Sequence, residues 1–296
     1  MQRTWLSRRG HVCSSGSTTV EELSVSQLLL WWATYLPLLS PLAVGPPDAD
    51  ANRSRTLPSR ERKVATAGLP DIREFRVAKS DRFLVDLEQV RTGHPYKGVR
   101  ADRPHTGAHI YFRPLAKRIE ATEVKRFPAI YAVADGVVTR IDYSFRLREI
   151  YVSALKRRVA NRRYGIGLAF AQAGGRPVEM HYSIEPFVDP GNAQFYDPFI
   201  LVRVGQRVKK GHVIGRMYLP DDPRVAENAH IHFNLLGGPR RQFQSPSIFD
   251  ERIVNAFHAT WDRRRGADGG TRIPPCMGYR LGRDENPFQR RGVERL

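Results

Sequence analysis

The sequence predicts a mainly β fold: a small antiparallel sheet or sandwich with helices at its periphery. Three observations carry that expectation. The stretches "AIYAVADGVVTRID", "YGIGLAFAQAGG", "VEMHYSI" and "HIHFNLL" are short, rich in β-branched or aromatic residues, and punctuated by glycine. In "HIHFNLL", His230 and His232 stand one residue apart in an otherwise apolar run, so on a strand both imidazoles project to one face. In "VGQRVKKGHVIG", Gly205, Gly211 and Gly215 lie at hairpin-like spacing around Val208 and Val213.

Four segments follow in order. Residues 1–51 hold the one long apolar run, "LLLWWATYLPLLSPLAV" (Leu28–Val44), which Pro37 and Pro41 interrupt. Ala49 and Ala51 behind it suit a cleavage site, so this segment is predicted to be an export signal or an N-terminal membrane anchor. The protein is then expected outside the cytoplasm, in the periplasm or facing it from the membrane. Residues 52–102 are charged, with short apolar patches such as "RFLVDL", and read as a lead-in without a clear element pattern. Residues 103–244 carry the β texture. One helical insertion is expected in "RLREIYVSALKRRVANRR", where Ile150, Ala154 and Val159 would leave a basic outer face. Residues 245–296 open with a helix after Ser245-Pro246, with Phe249, Ile253, Phe257 and Trp261 at i, i+4 spacing, and continue as a basic irregular tail.

Composition excludes several classes. The 296 residues suffice for a real core, and the apolar fraction is ordinary. Cys13 and Cys276 lie near opposite ends, so neither a disulfide framework nor a CxxC metal knuckle is possible. Arginine supplies most of the net charge of +18. That charge is spread along the chain with no basic helix or aromatic-interleaved stripe, which argues against a nucleic-acid partner.

Chemistry concentrates in the histidines, seven of nine lying between residues 94 and 232. "RPHTGAHIYF" places His105 and His109 at i, i+4: too far apart to chelate on a straight strand, unless Gly107 bends the chain. "VEMHYS" adds His181, and "HIHF" adds His230 and His232. Imidazole is a common neutral zinc ligand, and two on one face invite a shared ion. The other histidines read as structural: His94 before Pro95 in a turn, His212 in an exposed loop, His258 as a polar position on the C-terminal helix.

The ordered series "HPYKGVRADRPHTGAH", "YAVADGVV", "YGIGLAFA", "EMHYS", "VGQRVKKGHVIG" and "HIHF" resembles the lysostaphin-type zinc metallopeptidases over roughly residues 91–236. These are bacterial cell-wall endopeptidases with a small, duplicated antiparallel β fold. The resemblance implies Zn²⁺ bound by His105, His109 and His232, with His181 and His230 as catalytic partners that orient water, move its proton and stabilise an oxyanion. It implies peptidoglycan peptides as substrate. One position departs: His109 stands where the family has an aspartate, which leaves the site one negative charge poorer. Asp102 is a conceivable substitute at the wrong spacing. The insertion "RPLAKRIEATEVKRFP" lengthens a family loop. The alternative is a degenerate domain that keeps the fold and binds peptidoglycan or a partner protein without hydrolysis. A biotinyl-type carrier, which shares the glycine turns, would need a modifiable lysine in a tight hairpin where this chain offers His181.

Overall fold

Short runs rich in β-branched, aromatic and other apolar residues build the molecule around one large antiparallel sheet. The structure is a computed structural model and describes residues 54–95, 107–188, 193–237, 242–244 and 246–260. Among these, the strands are β1 (Ser54–Thr56), β2 (Val90–Pro95), β3 (Gly107–Phe112), β4 (Ala129–Tyr131), β5 (Gly136–Val152) and β6 (Arg157–Ala173). They continue with β7 (Arg176–Glu185), β8 (Arg207–Val208), β9 (Val213–Arg216), β10 (His230–Gly237) and β11 (Gln242–Gln244). The helices are α1 (Ser59–Thr66), α2 (Pro223–Ala226) and α3 (Glu251–Ala259). The main sheet runs β1-β5-β6-β7-β10-β3-β2, with β11 added to β10 and β8 to β5, while β4 and β9 form a separate ribbon. The fold is mainly β, as the segment pattern requires.

One face of this sheet makes the core. Ile110 and Phe112 of β3, Ile166 and Leu168 of β6, Met180, Tyr182 and Ile184 of β7, and Ile231, Phe233 and Leu235 of β10 are all buried. The β4 segment lies over them: the Tyr182 hydroxyl donates to Tyr131 O (3.1 Å) and accepts from Val133 N–H (3.2 Å). Tyr196, from the 3₁₀ turn Ala193–Phe199, stacks on Tyr164 with ring centroids 4.1 Å apart. At the other end Phe83 meets Phe233, Phe249 and Phe257 at 5.7, 5.2 and 5.0 Å. Gly107 opens β3 because β10 passes too close for a side chain: a Cβ would lie 2.1 Å from Phe233 O.

Several sequence expectations change. Ile72, Phe83, Leu84, Val85 and Val90 share the core, so packing ignores the division drawn after residue 102. The segment 146–163 forms no α-helix, only a 3₁₀ turn at Ser153–Leu155. β5 and β6 run through it as a hairpin, turned at Lys156 in the left-handed region (φ 52°). Its β-branched and aromatic residues pair across strands, and Val152 and Val159 are buried together with Phe187 and Val225. The glycine turn holds, with Gly205 and Gly211 at positive φ, but its strands do not pair with each other: β8 joins β5 and β9 joins β4. His94 sits in β2, not in a turn. The C-terminal helix forms and starts later than the spacing suggested. Asp250 caps it by accepting from Ile253 N–H at 2.8 Å, and Phe249 packs just ahead of it. The N-terminal apolar run, both cysteines, Asp102, His105, Trp261 and the basic tail lie outside the described residues. No helix among the described residues is long and apolar enough to cross a membrane.

Two stability results are expected. Phe83→Ala should cost about 3–5 kcal/mol in chemical denaturation, because it empties the junction between the lead-in, β10 and α3. His258 is largely buried, and burial pushes its pKa down to about 4. The unfolded ring binds its proton near 6.5. The unfolded state therefore takes up more protons between those values, and stability present above pH 6.5 is lost as pH falls toward 4, by up to about 3 kcal/mol. Denaturation midpoints of wild type and His258→Gln should run together above pH 6.5 and separate as pH falls toward 4, wild type becoming the less stable. Equal spacing at every pH would contradict this.

Candidate functional site

The face of the sheet opposite the core gathers the histidines. β10 is hydrogen-bonded to β3 on one side and β7 on the other, so its outward residues His230, His232 and Asn234 have neighbours on both flanks. His232 stands directly opposite His109 on β3 and Ser183 on β7; His230 stands opposite Tyr111 and Glu185; Asn234 stands opposite His181. The backbone register also places His94 beside His109. Strand period does the rest: the residues between them point to the core.

The rings are close. The His109 and His232 centroids lie 4.9 Å apart, the His109 and His230 centroids 4.9 Å, and the Tyr111 and His230 centroids 4.9 Å. His181 lies on β7, diagonal to His232. Three of the four histidines predicted here and described by the structure therefore meet in one cluster, with the fourth a strand away. Gly107 begins a regular strand and makes no bend between residues 107 and 109.

Two imidazoles have carboxylate neighbours. His230 Nδ1 lies 2.8 Å from Asn228 O, and since a carbonyl only accepts, Nδ1 carries the proton. Its Nε2 lies 3.4 Å from Glu185 Oε2, and that carboxylate accepts from Asn161 Nδ2 at 3.1 Å. His181 Nε2 lies 3.8 Å from Asp142 Oδ2, an ion-pair distance and too long for a hydrogen bond. Asp142 accepts from the Ser54 hydroxyl at 2.6 Å and has Arg140 Nε at 3.4 Å. Its carboxylate leans over Gly165, where a Cβ would come within 2.6 Å of Oδ2. Asn161 also accepts from Phe187 N–H (3.1 Å), and Phe187 holds a left-handed backbone (φ 57°) rare for so bulky a side chain. The Phe187 ring packs 5.6 Å from His230.

Burial governs protonation. Desolvation pushes the pKa of both His181 and His230 below the usual imidazole range, only partly opposed by Asp142 and Glu185. Burial raises that of Asp142, but the His181 ring, the Ser54 hydroxyl and Arg140 outweigh it and hold the carboxyl below its ordinary value. Around neutral pH His181 and His230 are therefore neutral and Asp142 is ionised. Ser183 Oγ, Asn234 Oδ1 and His181 Nε2 are buried with no hydrogen-bond partner among the described residues, and all three border His232. Buried polar atoms left that way cost about 1–3 kcal/mol each, so they mark a place built to meet something.

Zinc–nitrogen bonds of about 2.0–2.1 Å bring two ligand rings to roughly the separation seen between His109 and His232. These two fit as a pair of ligands. No group of three His, Cys, Asp or Glu side chains able to hold a metal ion occurs among the described residues. The sequence reading missed Asp142, Glu185, Asn161 and Ser54. They lie on four different strand segments or their flanks, and only sheet order brings them to the histidines.

Family models, curated proteins and solved structures were compared with the chain. None matches.

Ser54→Ala should raise the Asp142 pKa and lower stability at pH 7 by about 1.5–3 kcal/mol, the scale of a hydrogen bond to a charged group. Carbon-detected NMR titration of the Asp142 carboxyl, together with urea denaturation, checks both. An unchanged pKa would remove Ser54 from the network.

Proposed function

We propose that the chain is a zinc-dependent endopeptidase acting on peptide cross-links of bacterial peptidoglycan. The observation that supports this reading most is the register pairing of His109 with His232, flanked on the same face by His230 and His181. His109 and His232 would hold the metal with His105, which precedes β3 in the chain. When bound, zinc polarises a scissile carbonyl and makes water nucleophilic near neutral pH.

The remaining work falls to the chain's own groups. His230, with Nδ1 protonated toward Asn228 O, offers Nε2 as a proton acceptor beside Glu185. Glu185 favours the imidazolium formed when Nε2 takes a proton, so it supports general-base action and the later return of that proton to the leaving amine. His181, flanked by Asp142, is placed to do the same from β7 or to donate toward an oxyanion. Tyr111, packed against the His230 ring, closes the cluster at the β3 edge. The imidazole at 109 in place of a carboxylate favours the second reading, a domain that binds wall peptides without cutting them.

Zinc should copurify near one per chain, as read by elemental analysis. His109→Ala and His232→Ala should lose it. His230→Ala should retain metal and reduce muropeptide release from purified wall by about 100-fold or more, as expected for loss of a general base. Chelator should abolish release by the wild type. A folded protein that never binds zinc would leave only the binding reading.

A further inference from the structure

A cavity of about 760 Å³ opens between α1 and the turn that joins β6 to β7. That volume lies within the range of about 300–1,000 Å³ typical of small-molecule sites. One wall is α1, fixed to the sheet by its last carbonyls: Thr66 O accepts from Gln172 Nε2 at 2.6 Å and Ala65 O from Arg207 at 3.0 Å. The floor is β7 and the end of β10, where Glu179 stands in register opposite Leu236. Both belong to the face that carries the histidines, Glu179 two residues before His181 and Leu236 two after Asn234. The floor therefore lies about 6–7 Å along the strands from those residues.

Glu179 is the unusual group. It is only 8 % exposed, and acidic side chains are seldom so buried without a paired charge. Its Oε1 accepts from the Thr139 hydroxyl at 2.9 Å. Its Oε2 lies over Gly167, 3.4 Å from where a Cβ would stand, and no donor reaches it among the described residues. Cations line the same cavity: Arg62 and Lys63 of α1 and Arg176 of β7, with Glu179 the one acidic side chain among the described lining residues. Arg62 Nη2 donates to Leu57 O at 2.9 Å, which pins the guanidinium while Nε stays buried without a partner. Lys63 and Arg176 are exposed and form no ion pair among the described residues. Val64, Pro177 and Leu236 add apolar surface.

A simple anion in this cavity would be repelled by Glu179, and a simple cation by the three basic groups. A ligand that carries both charges meets neither conflict. We propose that the cavity is a binding site for a small zwitterion, its ammonium on Glu179 Oε2 and its carboxylate met by Arg62 and Arg176, with an apolar stem against Val64 and Leu236. The site is separate from the metal chemistry of the histidines and stands without it.

The full chain is titrated with ω-amino acids from glycine to 6-aminohexanoate, which sample the separation between the two charges. Hexanoate and hexylamine, with one charge each, serve as controls. Calorimetry reads affinity, and backbone amide NMR shifts read location. At least one ω-amino acid should bind about tenfold or more tighter than both controls, the scale of one hydrogen bond to a charged group. The amides of Val64, Arg176, Glu179 and Leu236 should shift most. Glu179→Gln, which keeps an acceptor for Thr139, should bring the zwitterion and hexanoate to equal affinity. Arg176→Gln should weaken the zwitterion by about tenfold and leave hexylamine no weaker. Thermal unfolding midpoints matching wild type show that the variants fold. Arg176 is exposed, so its variant tests the site even where the buried substitution at 179 unfolds the chain. Equal affinity of wild type for zwitterion and hexanoate marks a plain basic surface and overturns the proposal. Binding of none of the probes, or shifts confined to the histidine face, does the same. His109→Ala should leave these affinities unaltered, so loss of the peptidase reading alone leaves every one of these results standing.

Discussion

Everything at the candidate site depends on the register of β10. Its inward residues Ile231, Phe233 and Leu235 are fully buried, and each contributes about 1.5–3 kcal/mol through apolar burial. A slip of one residue would drive His230, His232 and Asn234 into the core and turn the three apolar side chains outward. The cost would be several kcal/mol from lost burial before any polar penalty is added. The imidazoles are thus positioned by side chains on the opposite face. That is why His232 can stand opposite His109 although a cluster of buried rings gains little by itself.

Burial that fixes their position also fixes their charge. His181 and His230 are held neutral, and neutral imidazole is the form that ligates a metal or accepts a proton. Asp142 stays ionised because Ser54 and Arg140 hold its carboxylate, and Glu185 accepts a hydrogen bond from Asn161. The result is two imidazole–carboxylate pairs on neighbouring strands, β10 with β7 and β7 with β5 across β6. Such pairs raise the basicity of a ring at the moment it takes a proton without charging it beforehand.

Much of this was legible in the sequence because strand periodicity is local. "HIHFNLL" declares its own two faces, and "GAHIYF" and "EMHYSI" repeat the pattern, so His109, His181, His230 and His232 could be assigned to sheet faces. What was not legible is whatever depends on which strands lie side by side. Asp142 lies 39 residues before His181 in the chain, and only the order β5-β6-β7, with glycine at 165 between them, lets its carboxylate approach. The segment 146–163 misled for a related reason. Its apolar residues fit a helical period, but pairing of β5 with β6 overrides local preference, and the irregularities in β5 break the strict alternation that would have announced a strand. Phe249, read as helical, acts one residue ahead of the Asp250 cap because a capping aspartate sets the helix start more firmly than apolar spacing does.

Under the proposed function, an imidazole at 109 rather than a carboxylate acquires a meaning when the charges are taken together. Among the described groups, Asp142 is paired with Arg140 and Glu185 lies beside His230, while the charges of Arg140 and Arg163 act on His181. Under the proposed function, a divalent cation held there by neutral imidazoles keeps most of its positive charge, where a carboxylate ligand would cancel part of it.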